Sequence, residues 1–574
     1  MPDHGNQYQQ FRERKLVWIS TRTRANLVDF SVVIAGIVVW VIAAVIFFRY
    51  PIFSSFDHIF GDRADGSMII YFHEHMFNVL QGRAQLTSPP FFYPQPHVFG
   101  FGPAFLLDSV PYSILRLIGC DPFLSFQLLV IILSLASFMA SFMICVRYLK
   151  IRTPIALCAA VLITFANNLF FKGVIGHANF LLLYYIPCIV LIALWGIEDF
   201  PRVTRWSILR VATAAALYSL LFATDVYTAW MFGFTLLIAA CTLVALCGRT
   251  LVAAVRRHSR PITILVGTAI VSFLIAFIPF VVIYVPVRAI APLRSYYDYI
   301  SNAPLPTGIM DVTTGNYVWG WLSYILPGGH GAEQGLAVTP GMTALFLVFA
   351  YYHLTKNPIN ISQWQSAFVA VTEKVWLLSW LLTMRIMGMI SGFWLVRYLV
   401  PGAIGIRAGM RVQLIVNLWI VLALAILLEH WIRTAPIAQF GSRRLLAVGA
   451  LLLCLIEQIN FTKTGGLYRS EILEMLSMVP RPPLECRAFI ISMNAANQVD
   501  ATKYNAANQV DAMWISNQIG LPTLNGLSGW LPPGWELNDT KNYFSAAKRW
   551  IAHQGLQEKV CIYDPSDQRW SLLQ

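Results

Sequence analysis

DFSVVIAGIVVWVIAAVIFFRYPIFSSFDHIFGDRADG, residues 29–66, sets an uncharged apolar run directly before an acidic, glycine-flanked loop. From Phe30 to Phe48 no charge interrupts the run, and a helix of that length crosses a hydrocarbon layer. The segment before it, MPDHGNQYQQFRERKLVWISTRTR, is polar and basic for longer than the n-region of a cleavable signal, so residues 1–28 read as a cytoplasmic anchor. The first span, 29–48, then carries residues 49–122 to the outer side.

Hydrophobic residues fill 57% of the 574 positions and charged residues 12%, too little polar surface for a water-soluble protein of this size. The apolar runs are continuous, without the alternation of barrel strands, so the class is all-α and polytopic. The net charge of +13 is scattered in short Lys and Arg clusters between these runs. That is the positive-inside pattern of a membrane protein and not a nucleic-acid surface.

Two weaker apolar stretches, 66–82 and 103–118, follow the first span. If the second crossed the membrane, Arg147, Lys150 and Arg152 would land outside, so both are expected to lie along the membrane surface. Further spans fall near 123–146, 153–171, 176–196, 208–224, 228–247, 262–285, 340–355, 374–395, 412–431 and 444–459, about eleven in all. Arg202 with Arg205, Arg249 with Arg256, Arg257 and Arg260, and Arg433 with Arg443 and Arg444 then lie inside. The membrane domain is expected over 29–459, with outer loops at 49–122 and 286–339, and a small outer α/β domain over 460–574 that ends on the strand-like VCIYD at 560–564. Function is expected on these outer segments.

Six cysteines lie in apolar runs, where a small buried hydrophobe is their ordinary role, and none has metal-ligand spacing. Cys486 and Cys561 lie in the tail and are expected to pair if it faces an oxidising space. NAANQVDA at 494–501 recurs at 505–512, a step close to three helical turns, and reads as a recent duplication before a functional repeat.

Several polar residues could carry chemistry. Asp62 and Asp65 stand beside Gly61 and Gly66, a setting for a general base or cation ligand, with a solvated acidic turn as the alternative. His73, Glu74 and His75 do not form a zinc motif; they suit the polar face of a surface helix, with His75 a pocket or metal candidate beside Asp62 or Asp65. His177, in GHANFLLLYYIP, and Asp225 with Tyr227, in FATDVYTAW, sit where apolar runs meet the outside. LVRYLVPGAIGIRAGMR, 395–411, puts Arg397, Arg407 and Arg411 outside against the charge trend, which suits a phosphate; snorkelling to headgroups is the alternative. Arg385 inside the span 374–395 is either a cavity residue or a sign that the helix lies elsewhere.

At these residues the sequence resembles the bacterial branch of the GT-C superfamily, integral membrane glycosyltransferases that use polyprenyl-phosphate-linked sugars. The matching pieces run in order over most of the chain: GDRADG and the helix after it, FFYP, GHANFLLLYYIP, EQGLAVTPG, PGAIGIRAGMR, and DAMWISNQIGLPTLNGLSGWLPPGW in the tail. That superfamily carries its catalytic acid in the first outer loop, with two membrane-surface helices. The resemblance implies that Asp65 or Asp62 deprotonates an acceptor hydroxyl, that the outer arginines hold the donor phosphate, and that transfer inverts the sugar. The acceptor would be an envelope glycan, lipid or protein, and the setting a bacterial inner membrane with the tail in the periplasm. No second acidic pair stands in a later loop, so metal dependence stays open. A transporter or flippase of lipid-linked saccharides is the rival reading, opposed by the lack of an inverted repeat and by the large one-sided tail. A noncatalytic envelope-assembly protein of the same fold is the third.

Overall fold

The computed structural model describes residues 30–291, 293–326, 333–356, 361–434, 439–492, 501–539 and 541–573. Among them, eight helices are long and apolar enough to cross a membrane: Pro122–Tyr148, Thr153–Val174, Ala178–Gly196, Arg205–Thr224, Val226–Arg257, Ser259–Ala276, Gln363–Thr383 and Gly409–Arg433. Shorter apolar helices cover Phe30–Phe47 (α1), Ile278–Arg288, Pro340–Lys356 and Phe440–Ile456. Local signals start several of them. Asp121 caps the first long span by accepting the N–H groups of Phe123 and Leu124, with Pro122 at the first position. A capping box between Thr204 and Ser207 opens Arg205–Thr224.

The span expected at 374–395 is displaced. The helix runs from Gln363 to Thr383, and Arg385 lies beyond it, opening a two-strand hairpin of Arg385–Ile386 and Ile390–Ser391. Glu373 and Lys374 sit inside this helix as an ion pair at 3.2 Å, so their adjacent charges do not end it.

Helices Asp65–Leu80 (α2) and Leu106–Leu117 (α3) occupy the two weak stretches of the first loop. The first, α2, does not present a polar face. His73, Glu74 and His75 are all buried, because α3 and the tail cover α2. His73 Nε2 lies 3.2 Å from Asp108 of α3, and Tyr185 donates to the other Asp108 oxygen at 2.7 Å. Arg116 donates to both oxygens of Glu74 at 2.8 and 3.0 Å.

In the tail, β1 (His58–Asp62, of the first loop) pairs antiparallel with β4 (Gly466–Tyr468), where β2 and β3 are the strands of the hairpin above. Strands β5 (Ala488–Ile491) and β6 (Val560–Asp564) run parallel, and β7 (Arg569–Leu572) closes the sheet antiparallel to β6. Helices Ala501–Ile519 and Tyr543–His553 pack with it. Cys486 and Cys561 are joined by a disulfide, the pairing expected of the tail cysteines. The first copy of NAANQVDA lies, but for its last residue, outside the described residues; the second lies within Ala501–Ile519. Tail and first loop interlock: Trp514 donates to Ser67 at 2.9 Å, Arg63 pairs with Asp511 at 3.1 Å, and Phe92 N–H donates to Asn525 O at 2.9 Å.

Candidate active site

β1 ends at Asp62 and α2 begins at Asp65, so three peptide units separate two carboxylates of different environment. The Asp62 carboxylate turns back and accepts the Gly66 N–H at 3.0 Å. Gly176, at φ +129, closes over it from the helix Thr153–Val174 side; a Cβ there would stand 3.0 Å from Asp62 Oδ2. Burial raises the Asp62 pKa, and its backbone N–H donors offset part of the rise. Asp65 instead faces open space, with 44% of its side-chain surface accessible. Protein mass nevertheless surrounds it. Burial first, then the Asp62 charge, raises its pKa to about 6 against the pull of Arg407, Arg411 and Lys172.

Opposite Asp65 stands His177, its Nε2 3.8 Å from Asp65 Oδ2 and 3.6 Å from Glu333 Oε1. Burial, reinforced by Lys172 and Arg411, holds this imidazole well below its ordinary pKa, so it is neutral at pH 7. Glu333 gathers the cations. Lys172 Nζ lies 3.2 Å from its Oε2, Arg411 Nε donates to the same oxygen at 2.8 Å while Arg411 Nη2 bonds Oε1, and Arg407 Nη2 stands 4.0 Å away. Burial opposes the Glu333 charge, but Arg411 and Lys172 outweigh it and hold the carboxyl well below the usual range.

The expected arginines divide. Arg411 is enclosed, its guanidinium over the rings of Phe180 at 4.9 Å and Tyr227 at 4.5 Å. Arg407 leaves 42% of its side chain open, and its backbone N–H donates to the Tyr227 hydroxyl at 3.0 Å. Arg397 is not in the cluster; it donates to the backbone carbonyl of Arg294, which lies over the Trp530 ring of the tail at 4.1 Å. Asp225 caps Val226–Arg257, accepting the Tyr227 N–H at 3.2 Å and the Thr228 hydroxyl at 2.6 Å, and so fixes Tyr227 from behind.

His75 does not join the site. It is buried against Phe99 with Nε2 3.3 Å from Leu86 O, and ten residues of α2 put it about 15 Å from Asp65. Lys172 and Glu333 are members that the sequence reading did not single out. The signal for Lys172 was a lysine inside an otherwise apolar run, which needs a partner in a membrane protein. The signal for Glu333 was its place at the head of EQGLAVTPG, one of the pieces that carry the resemblance.

In structure, the chain is similar to the oligosaccharyltransferase AglB of Archaeoglobus fulgidus in complex with an inhibitory peptide and a dolichol-phosphate. The TM-score is 0.51 at 12% identity, over 93% of this chain and 69% of that one. In fold, the chain is similar to GT-C membrane glycosyltransferases. Two other similarities have lower scores. ArnT from Cupriavidus metallidurans bound to undecaprenyl phosphate gives 0.41 at 11% identity, over 86% of this chain and 84% of that one. The arabinofuranosyltransferase AftD from Mycobacteria gives 0.45 at 14%, over 81% and 29%. No sequence-family profile matches the chain, and no curated protein matches it in sequence.

Proposed function

We propose that the chain is an inverting membrane glycosyltransferase, moving a sugar from a polyprenyl-phosphate-linked donor to an envelope glycan, lipid or protein acceptor. The reaction takes place at the outer face of a bacterial inner membrane, with eleven passages, the amino terminus cytoplasmic and the tail periplasmic. One observation carries the reading: an open but desolvated carboxyl, Asp65, and an open guanidinium, Arg407, flank the same His177 and Glu333 cluster. The fold likeness to AglB, which is in complex with a dolichol-phosphate, supports the donor class.

Asp65 is the base. As the acceptor oxygen bonds to the anomeric carbon, the hydroxyl proton passes to Asp65, and the bond from that carbon to the polyprenyl phosphate breaks. Attack opposite the leaving group inverts the sugar. Arg407 meets the phosphate as charge grows on it. Asp62, spent on the Gly66 N–H, shapes the loop, and Arg411 holds Glu333. Tyr227 sets the backbone at Arg407.

Asp65→Asn is the test. Removal of the base lowers transfer from a polyprenyl-phosphate-sugar by about two to four orders of magnitude, with the protein still folded in the membrane. Full transfer by Asp65→Asn sinks the assignment, and loss of saccharide export instead of transfer favours the flippase.

A further inference from the structure

A divalent cation in a site of this fold would need acidic oxygens with room for an ion, and here those oxygens are committed. Both Glu333 oxygens are taken by Lys172 and Arg411. Asp62 accepts the Gly66 N–H and is turned onto the backbone N–H groups of Ala64 and Asp65. Asp65 and His177 are left, too few for a tight site, and among the described residues no three His, Cys, Asp or Glu groups stand close enough to hold a metal ion. An ion between Asp65 and His177 would also face the cations that already crowd Glu333, at separations where like charges repel strongly.

We infer that this site carries its own cation in place of a metal: the Lys172 ammonium, with Arg411 and Arg407, supplies the positive charge of a divalent ion. The three cations outnumber the Glu333 carboxylate that gathers them, and all three act on Asp65. Lys172 is fixed for that task. Its side chain has no exposed surface, in the last turn of Thr153–Val174, and a buried ammonium in a membrane helix is costly unless it is paired and used. It is a positioning residue: it touches Glu333, and through the site potential it favours the charged form of Asp65 and an anionic leaving group. The inference rests on the glycosyl-transfer reading for its purpose, and on the geometry alone for its prediction about metals.

Two measurements on the full-length protein in detergent decide it. Calorimetric titration of EDTA-treated protein with MgCl2, MnCl2 and ZnCl2 gives no stoichiometric binding that Asp65→Asn abolishes, and transfer by the wild type is the same with and without EDTA. Lys172→Met lowers transfer about ten- to a hundredfold and moves the acid limb of its pH profile upward, a shift that a merely loosened fold does not produce. One equivalent of metal lost in Asp65→Asn, EDTA-sensitive transfer restored by one of the three salts, or a folded Lys172→Met with an unmoved limb each overturns the inference. The titration needs no turnover, so it stands even where the glycosyl-transfer reading fails.

Discussion

Asp65 and Asp62 differ by surroundings, not by type. One carboxylate spends its charge on a backbone N–H, while the other is left desolvated and reachable, which is what a base working near neutral pH requires. The sign of the pH dependence follows. Asp65 accepts a proton only when ionised, so transfer rises with pH through an apparent value of about 6 and levels off above it. Arg407 is one of the charges that pull this value down. Arg407→Ala therefore moves the acid limb to higher pH and raises the donor KM, because its phosphate partner is present in ground and transition states alike. A kcat/KM profile for Arg407→Ala with the wild-type limb would separate Arg407 from Asp65 and undo this assignment.

Among the elements, α2 matters most, since it begins at the proposed base and is held by buried polar pairs. Both ring nitrogens of His73 are engaged, Nδ1 at 2.8 Å from Ile69 O and Nε2 on Asp108, and the ring stacks on Phe105 at 4.1 Å. Asp108→Ala strands His73 and the Tyr185 hydroxyl without their partner, at a cost of about 2–4 kcal/mol. The melting temperature in detergent falls, and transfer falls with it as α2 loosens; an unchanged melting temperature would refute the lock. The apolar runs and the acidic loop were legible because lipid and turn chemistry leave marks on neighbouring residues. Burial of His73, Glu74 and His75 was not, since it is made by Asp108, Arg116 and Phe99, which only the packing of the loop brings onto α2. The same holds for Lys172 and Glu333: an ion pair across 161 positions has no local signature. The helix Gln363–Thr383 begins eleven residues before the start expected for it, and Glu373 and Lys374 pair inside it.

At the scale of the whole molecule, two helices fix the direction of the site. Thr153–Val174 begins beside Arg152, bonded to Glu429 at 2.7 Å, and ends at Lys172 in the site. Gly409–Arg433 runs the other way, from Arg411 in the site to Glu429, which also takes Arg433. The two charge clusters thus lie at opposite ends of both helices, roughly 30 Å apart, the thickness of a hydrocarbon core. Arg147, paired with Glu198 at 2.7 Å, belongs to the Arg152 end, next to the basic turns at 202–205 and 256–260. Excess Lys and Arg mark the cytoplasmic side, and on that rule the proposed orientation turns this end inward and the Asp65 end outward. The tail goes with the site, because β4 pairs with β1 and reaches Asp62 at Gly466. Reporter fusions after Arg260 and after Thr462 are therefore expected on opposite sides, inside and outside respectively. Matching readouts from the two would place the Asp65 cluster on the side of the basic turns, and a donor presented at the outer face could not reach it.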